Sequence, residues 1–151
     1  MTFPPPIYVS AVILMNQNGE VLTVRKNGTT GFMLPGGKPE PHESPEQTAC
    51  REVFEELGVK CTENELTYFG VFESAALNEP NRTVKAEVFR YTPNVSNIVE
   101  LSFSLTAEIV ETRWVNPTDT RLEHQAPLNT GHIFPALVVQ GLCSVVEKTS
   151  E

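Results

Sequence analysis

The chain has 151 residues, of which 40% are apolar and 20% charged, and its formal net charge is −8. That length and apolar content suit one domain with a real core, and they exclude a disordered or fibrous chain. The acidic balance argues against binding to long nucleic acids, which takes clustered Lys and Arg, but it allows a small phosphorylated substrate if metal ions bridge the like charges.

The N-terminus has neither a basic region nor a small-residue cleavage site, and its longest apolar run, Ile7 to Met15, is too short to span a bilayer. Three scattered cysteines (Cys50, Cys61, Cys143) without C-x-x-C spacing read as reduced, buried thiols. Together these features predict a cytoplasmic protein with no disulfide frame, no zinc site and no membrane partner. No repeat or linker divides the chain, so residues 1–151 are expected to form one domain.

Residues 1–6 hold three consecutive prolines and read as an extended N-terminal arm. Ile7 to Met15 and Glu20 to Lys26 read as strands joined at Asn18-Gly19, a hairpin signal. A short strand over 31–34 would deliver Pro35-Gly36-Gly37, as a glycine turn, to the head of a helix over 45–57. Ser44 suits the N-cap, Pro45 the first helical position, Gln47 the reciprocal place in a capping box, and Gly58 the left-handed stop. Strands are expected over 66–73, 83–91 and 109–115, with irregular chain over 93–104 and polar loop over 118–130. Apolar spacing predicts a C-terminal helix over 133–146, with Pro135 tolerable only in its first turn. The pattern is a mixed sheet with helices against it.

The helix over 45–57 divides into two faces. Ala49, Val53 and Leu57 form an i, i+4, i+8 stripe with Cys50 and Phe54 alongside, and this side must be covered. Glu52, Glu55 and Glu56 fall within about 100° of each other on the other side. Carboxylates so placed repel by about 0.2–0.5 kcal/mol per pair, in the half of the helix where the dipole already disfavours negative charge. Hard divalent cations would relieve that repulsion. Most Glu-rich helices are solvated surface, so the wider pattern carries the argument.

That pattern runs Gly37, five residues, Glu43, seven residues, Arg51-Glu52, two residues, Glu55-Glu56, one residue, Gly58, then apolar Val59. It resembles the signature of the Nudix (MutT-like) hydrolases at every fixed position, over a box of residues 37–59. Seven identities at about one in twenty each give a chance match of roughly one in 10⁹ at a given start.

The resemblance implies an α/β fold, an α/β/α sandwich with a mixed β-sheet between helices. It also implies hydrolysis of a nucleoside diphosphate linked to another moiety, with Mg²⁺ as cofactor and Mn²⁺ as the alternative. Carried over, Glu52, Glu55 and Glu56 are the catalytic metal-binding carboxylates, with the carbonyl of Gly36 or Gly37 as a further ligand. Glu52 is alternatively the base, and Arg51 belongs to the catalytic set. Glu43 and Arg51 tie the loop to the helix, and Gly58 supports its end. Glu108 resembles a distant acidic ligand, with Asp119, Glu111 and Glu100 competing for that role. Among nearby cations, Arg25, Lys38, Arg82 and Lys85 are candidates for phosphate contacts, and Lys26 lies beside them in sequence. Solvated lysine is the ordinary reading of each. Trp114 and Phe72 are read as core, and His42, His124 and His132 as loop or cap residues. Family members often pair, which leaves a homodimer open.

Subgroup patterns for ADP-ribose, diadenosine polyphosphates and coenzyme A do not match the segment Ser74-Ala75-Ala76-Leu77 or its surroundings. The leading expectation is a nucleoside triphosphate, oxidised, methylated or plain, cleaved to monophosphate and pyrophosphate. The alternatives are a hydrolase of ADP-ribose or another nucleotide conjugate, a non-catalytic nucleotide sensor and, well behind, a metal-assisted isomerase.

Overall fold

The structure is a computed structural model and describes residues 4–77, 79–93, 106, 108–119 and 121–142. Its central strand, β1 (Ile7–Ile13), is rich in β-branched residues suited to a pleated surface covered on both sides. β1 pairs in parallel with β6 (Thr83–Tyr91), which pairs antiparallel with β5 (Leu66–Ala75). The other edge of β1 pairs antiparallel with β4 (Gly36–Gly37), giving the order β4-β1-β6-β5. A second sheet, in the order β3-β2-β7, comprises β3 (Phe32–Met33), β2 (Val21–Lys26) and β7 (Ile109–Val115). The β1–β2 connection is the expected hairpin: the Asn16 side chain accepts from the Asn18 and Glu20 N–H groups, and Gly19 adopts φ 74°.

Alternation along the strands divides the core in two. Val12, Leu14, Leu22, Val24 and Phe89 pack under Ala49, Val53 and Leu57 of α1 (Pro45–Leu57). Ala11, Ile13, Val21, Val88 and Val115 pack against Ile133, Phe134 and Leu137 at the other side, where α2 (Phe134–Val139) lies. These are the layers of an α/β/α sandwich, with a mixed sheet as expected. Trp114 and Phe72 pack against the two cores. Among the described residues no helix is long and apolar enough to cross a membrane.

The helix over 45–57 keeps its expected bounds. Ser44 Oγ accepts from the Gln47 N–H, Gln47 Oε1 accepts in return from the Ser44 N–H, and Gly58 closes the helix at φ 71°.

Four expectations need correction. Gly36 and Gly37 are not a free turn but a strand, paired with Ala11 and Ser10. Phe54 is half exposed, because the sheet covers only the Ala49–Val53–Leu57 stripe. Glu56, read with Glu52 and Glu55 as one acidic side of the helix, is fully buried, whereas Glu55 is half exposed. The C-terminal helical stretch begins earlier and ends sooner, with a π-helical turn over Asn129–Ile133 ahead of α2 and Gly141 at φ 67° beyond it. Pro135 lacks an N–H and therefore disrupts regular α spacing; the wider turn before it, with Phe134 N–H donating to the Asn129 carbonyl, accommodates the proline.

Cys50 and Cys61 are free, half-buried thiols whose sulfurs stand 3.5 Å apart. Residues 1–3 of the arm, most of the 93–104 segment including Glu100, Cys143 and positions 143–146 of the expected helix lie outside the described residues.

Candidate active site

α1 presents Glu52 and Glu56 towards Gly36–Gly37, and Arg51 holds the intervening loop in place. The guanidinium donates to both oxygens of Glu43, at 2.7 and 3.0 Å, and to the Lys38 carbonyl at 2.9 Å. It also donates to Glu52 at 2.8 Å and to Glu55, one turn on, at 3.1 Å. Only a planar fork of five N–H groups can serve so many oxygens at once. Glu43 further accepts from the Glu40 N–H and the Thr48 hydroxyl. The hydrogen bonds from Arg51, with those two donors, hold its carboxyl down at about 2. Residues 38–43 are thereby pinned to the helix.

Glu56 lies beneath β4. Its Oε1 accepts from the Gly36 N–H at 2.8 Å, while its Oε2 has no hydrogen bond and lies 3.4 Å from Lys26 Nζ. Burial raises its carboxyl to about 7, and the Lys26 charge and the Gly36 N–H offset only part of that effect. Burial also raises Glu52, against the pull of Arg51. Glu52 fits against Gly37 so closely that a Cβ there would stand 2.5–2.8 Å from its carboxylate. Glu55 is half exposed and turned to Arg51.

Glu108 is carried to the same corner by its carbonyl, which accepts from the Asn27 N–H at 2.7 Å; its side chain lies 3.9 Å from Lys26. Of its sequence competitors, Glu111 is engaged with Arg25 and Arg113 and Asp119 with Arg121, while Glu100 lies outside the described residues.

These oxygen donors are chemically those of a hard divalent cation: buried and half-buried carboxylates and a backbone carbonyl. Glu56 Oε2, which has no hydrogen bond, and the glycine cradle under Glu52 fit such an ion. In the arrangement described, Lys26 and Arg51 take up the carboxylates. Among the described residues no three His, Cys, Asp or Glu side chains stand close enough together to hold an ion without adjustment.

A cleft of about 270 Å³ opens beside this corner. Gly36, Gly37, Lys26 and Lys38 form one end, and Val9, Met33, Leu77, Leu128 and Asn129 belong to its largely apolar remainder. Asn129 is fully buried; its amide nitrogen donates to Gln125 Oε1 at 3.1 Å and to the Phe32 carbonyl at 3.4 Å, and its Oδ1 has no partner. Nothing local in the sequence marked it, since an asparagine in a polar stretch reads as a turn residue. Of the cations considered for phosphate contact, Lys26 and Lys38 line the cleft. Arg25 is bonded to Glu111 and the Thr29 carbonyl, Arg82 to the Pro5 carbonyl, and Lys85 stands over the Tyr8 ring.

The family model for the NUDIX domain matches residues 4–137. A MutT-like protein of Streptomyces ambofaciens is 32% identical over 117 residues, covering 76% of this chain and 68% of that protein. An RNA pyrophosphohydrolase of Tolumonas auensis is 39% identical over 49 residues, only 32% of this chain and 28% of that protein. Among solved structures, the MutT protein from Methanosarcina mazei Go1 superposes with a TM-score of 0.72 at 25% identity, covering 93% of this chain and 99% of that one. With a family match over most of its length and an intact acidic helix beside a glycine-floored cleft, this chain belongs to the Nudix family, the hydrolases of phosphoanhydride bonds.

Proposed function

We propose that the chain, as one domain, is a Mg²⁺-dependent pyrophosphohydrolase of a single nucleoside triphosphate, plain or modified, with Mn²⁺ as a substitute ion. The observation that carries this reading is the cleft, which runs from a buried amide with a free acceptor, Asn129, to Gly36, Gly37 and two lysines beside the acidic helix. An apolar wall with one fixed polar group is how a protein holds a base. About 270 Å³ suits one nucleobase better than the two of a dinucleotide.

In this reading the base lies against Asn129 and the polyphosphate crosses the β4 glycines, where the backbone allows close approach. Glu52, Glu56, Glu55 and the Gly36 carbonyl would hold the ion, with Glu108 at the open side. When bound, the ion would offset phosphate charge and make water a better nucleophile. In the alternative role Glu52 would take the proton of the attacking water, with Arg51, bonded to its carboxylate, fixing its direction. Water adds to phosphorus as one phosphoanhydride bond breaks, and pyrophosphate leaves. Lys38, exposed on the cleft wall, is the phosphate contact that needs no rearrangement. We place the enzyme in the cytoplasm, where such substrates and Mg²⁺ occur together.

The test is turnover with Mg²⁺ across plain, oxidised and methylated nucleoside triphosphates, ADP-ribose, diadenosine polyphosphates and a triphosphorylated RNA oligonucleotide. The expected preference is a nucleoside triphosphate, with Asn129→Leu raising its KM by more than it lowers its kcat. A preference for a conjugate or for RNA would overturn the substrate, and binding without any turnover would favour a sensor.

A further inference from the structure

We propose that Lys26 is a built-in counter-ion of the acidic helix, whose ammonium must leave its place between Glu56 and Gly36 before a divalent ion can bind. Lys26 thereby sets how tightly the protein holds metal. The inference rests on the metal reading above.

Its basis is the position of one atom. Lys26 Nζ lies 3.4 Å from Glu56 Oε2, 3.4 Å from the Gly36 carbonyl oxygen and 3.9 Å from Glu108 Oε1. Three oxygens from three separate segments surround one cation, and none is as close as the 2.7–3.2 Å of a well-made N–H···O bond. The same oxygens are donors that a Mg²⁺ or Mn²⁺ ion would draw on. An ammonium and a divalent cation cannot share them, because like charges at such distances in a buried corner repel strongly.

Position along the strand accounts for the placement. Lys26 has the parity of Leu22 and Val24, whose side chains pack into the core beneath α1, so its stem runs towards the helix. Glu56 is fully buried, and without Lys26 its carboxylate would stand uncompensated, which is costly. The lysine also has somewhere to go: it is the last residue of β2, partly exposed, and lines the cleft. Once displaced, its ammonium lies on the wall that faces the polyphosphate in the reading above. Metal and substrate would then favour each other, since each draws the lysine away from Glu56 or benefits from its release.

The experiment measures Mn²⁺ binding to the full chain without substrate, by electron paramagnetic resonance, in wild type and Lys26→Met. Methionine keeps the stem and removes the charge. The expected result is about tenfold tighter Mn²⁺ binding in the variant, a lower melting temperature in EDTA and a larger rise on adding Mn²⁺. Unchanged or weaker binding by a folded Lys26→Met protein overturns the proposal and leaves the metal reading intact. Absence of Mn²⁺ binding in both proteins overturns the two together. A second readout needs no folded neutral variant: in wild type carrying ¹³C-labelled lysine, the Lys26 Cε resonance, assigned by its loss in Lys26→Arg, should shift on saturation with Mg²⁺. A resonance unmoved while Mg²⁺ binds also refutes it.

Discussion

Replacing Glu56 by Gln in metal-free protein isolates the cost of burying one carboxylate. Glutamine keeps the volume and the acceptor that receives the Gly36 N–H. Burial raises the native carboxyl from 4.5 to about 7. A carboxyl raised on folding stabilises the fold fully only below its unfolded value, and that contribution is lost as pH rises through the folded value. From pH 5 to pH 8 the wild type should therefore lose about 2–3 kcal/mol relative to Glu56→Gln, at about 1.4 kcal/mol per pKa unit. At this chain length that is roughly 5–10 °C in relative melting temperature. Urea unfolding of both proteins in EDTA, at four pH values across the window, gives the difference directly. A difference that stays flat would refute the reasoning: it would mean that Lys26, at 3.4 Å, compensates burial in full and Glu56 ionises as an ordinary carboxylate.

Three further substitutions probe the loop and its clamp. Gly37→Ala sets a Cβ against the movable end of Glu52, so stability should change by less than about 1 kcal/mol while kcat and Mn²⁺ affinity fall; unaltered turnover would remove Glu52 from the site. Gly36→Ala instead drives a Cβ onto the Ser10 carbonyl in the β1–β4 pairing, and should cost more than about 2 kcal/mol by chemical denaturation. Arg51→Lys cannot bridge Glu43, Glu52, Glu55 and the Lys38 carbonyl together. Its kcat/KM should fall at least about tenfold, and the Glu43 carboxyl, followed by NMR titration, should rise from about 2.

Local signals were legible in the sequence because their partners lie within a turn or two. Ser44, Pro45, Gln47 and Gly58 each act on the end of the helix they mark, and α1 has the expected bounds. The box spacing is likewise local, so the family could be read without coordinates. The Asn-Gly hairpin belongs to the same class.

What tertiary structure alone decided are the features whose partners are far along the chain. Gly36–Gly37 becomes a strand only because Ser10 and Ala11 offer it an edge. A helical wheel gives the angle of Glu56 but not what covers it, and the fold puts the β4 strand there, burying this carboxylate while Glu55 stays half exposed. Lys26 is brought to Glu56 by the pairing of two sheets with α1, and Asn129 to its cleft by contacts with Phe32, 97 positions earlier. Sequence pattern reports free energies exchanged between near neighbours, whereas a binding cleft is made by contacts that exist only after distant segments have closed on one another.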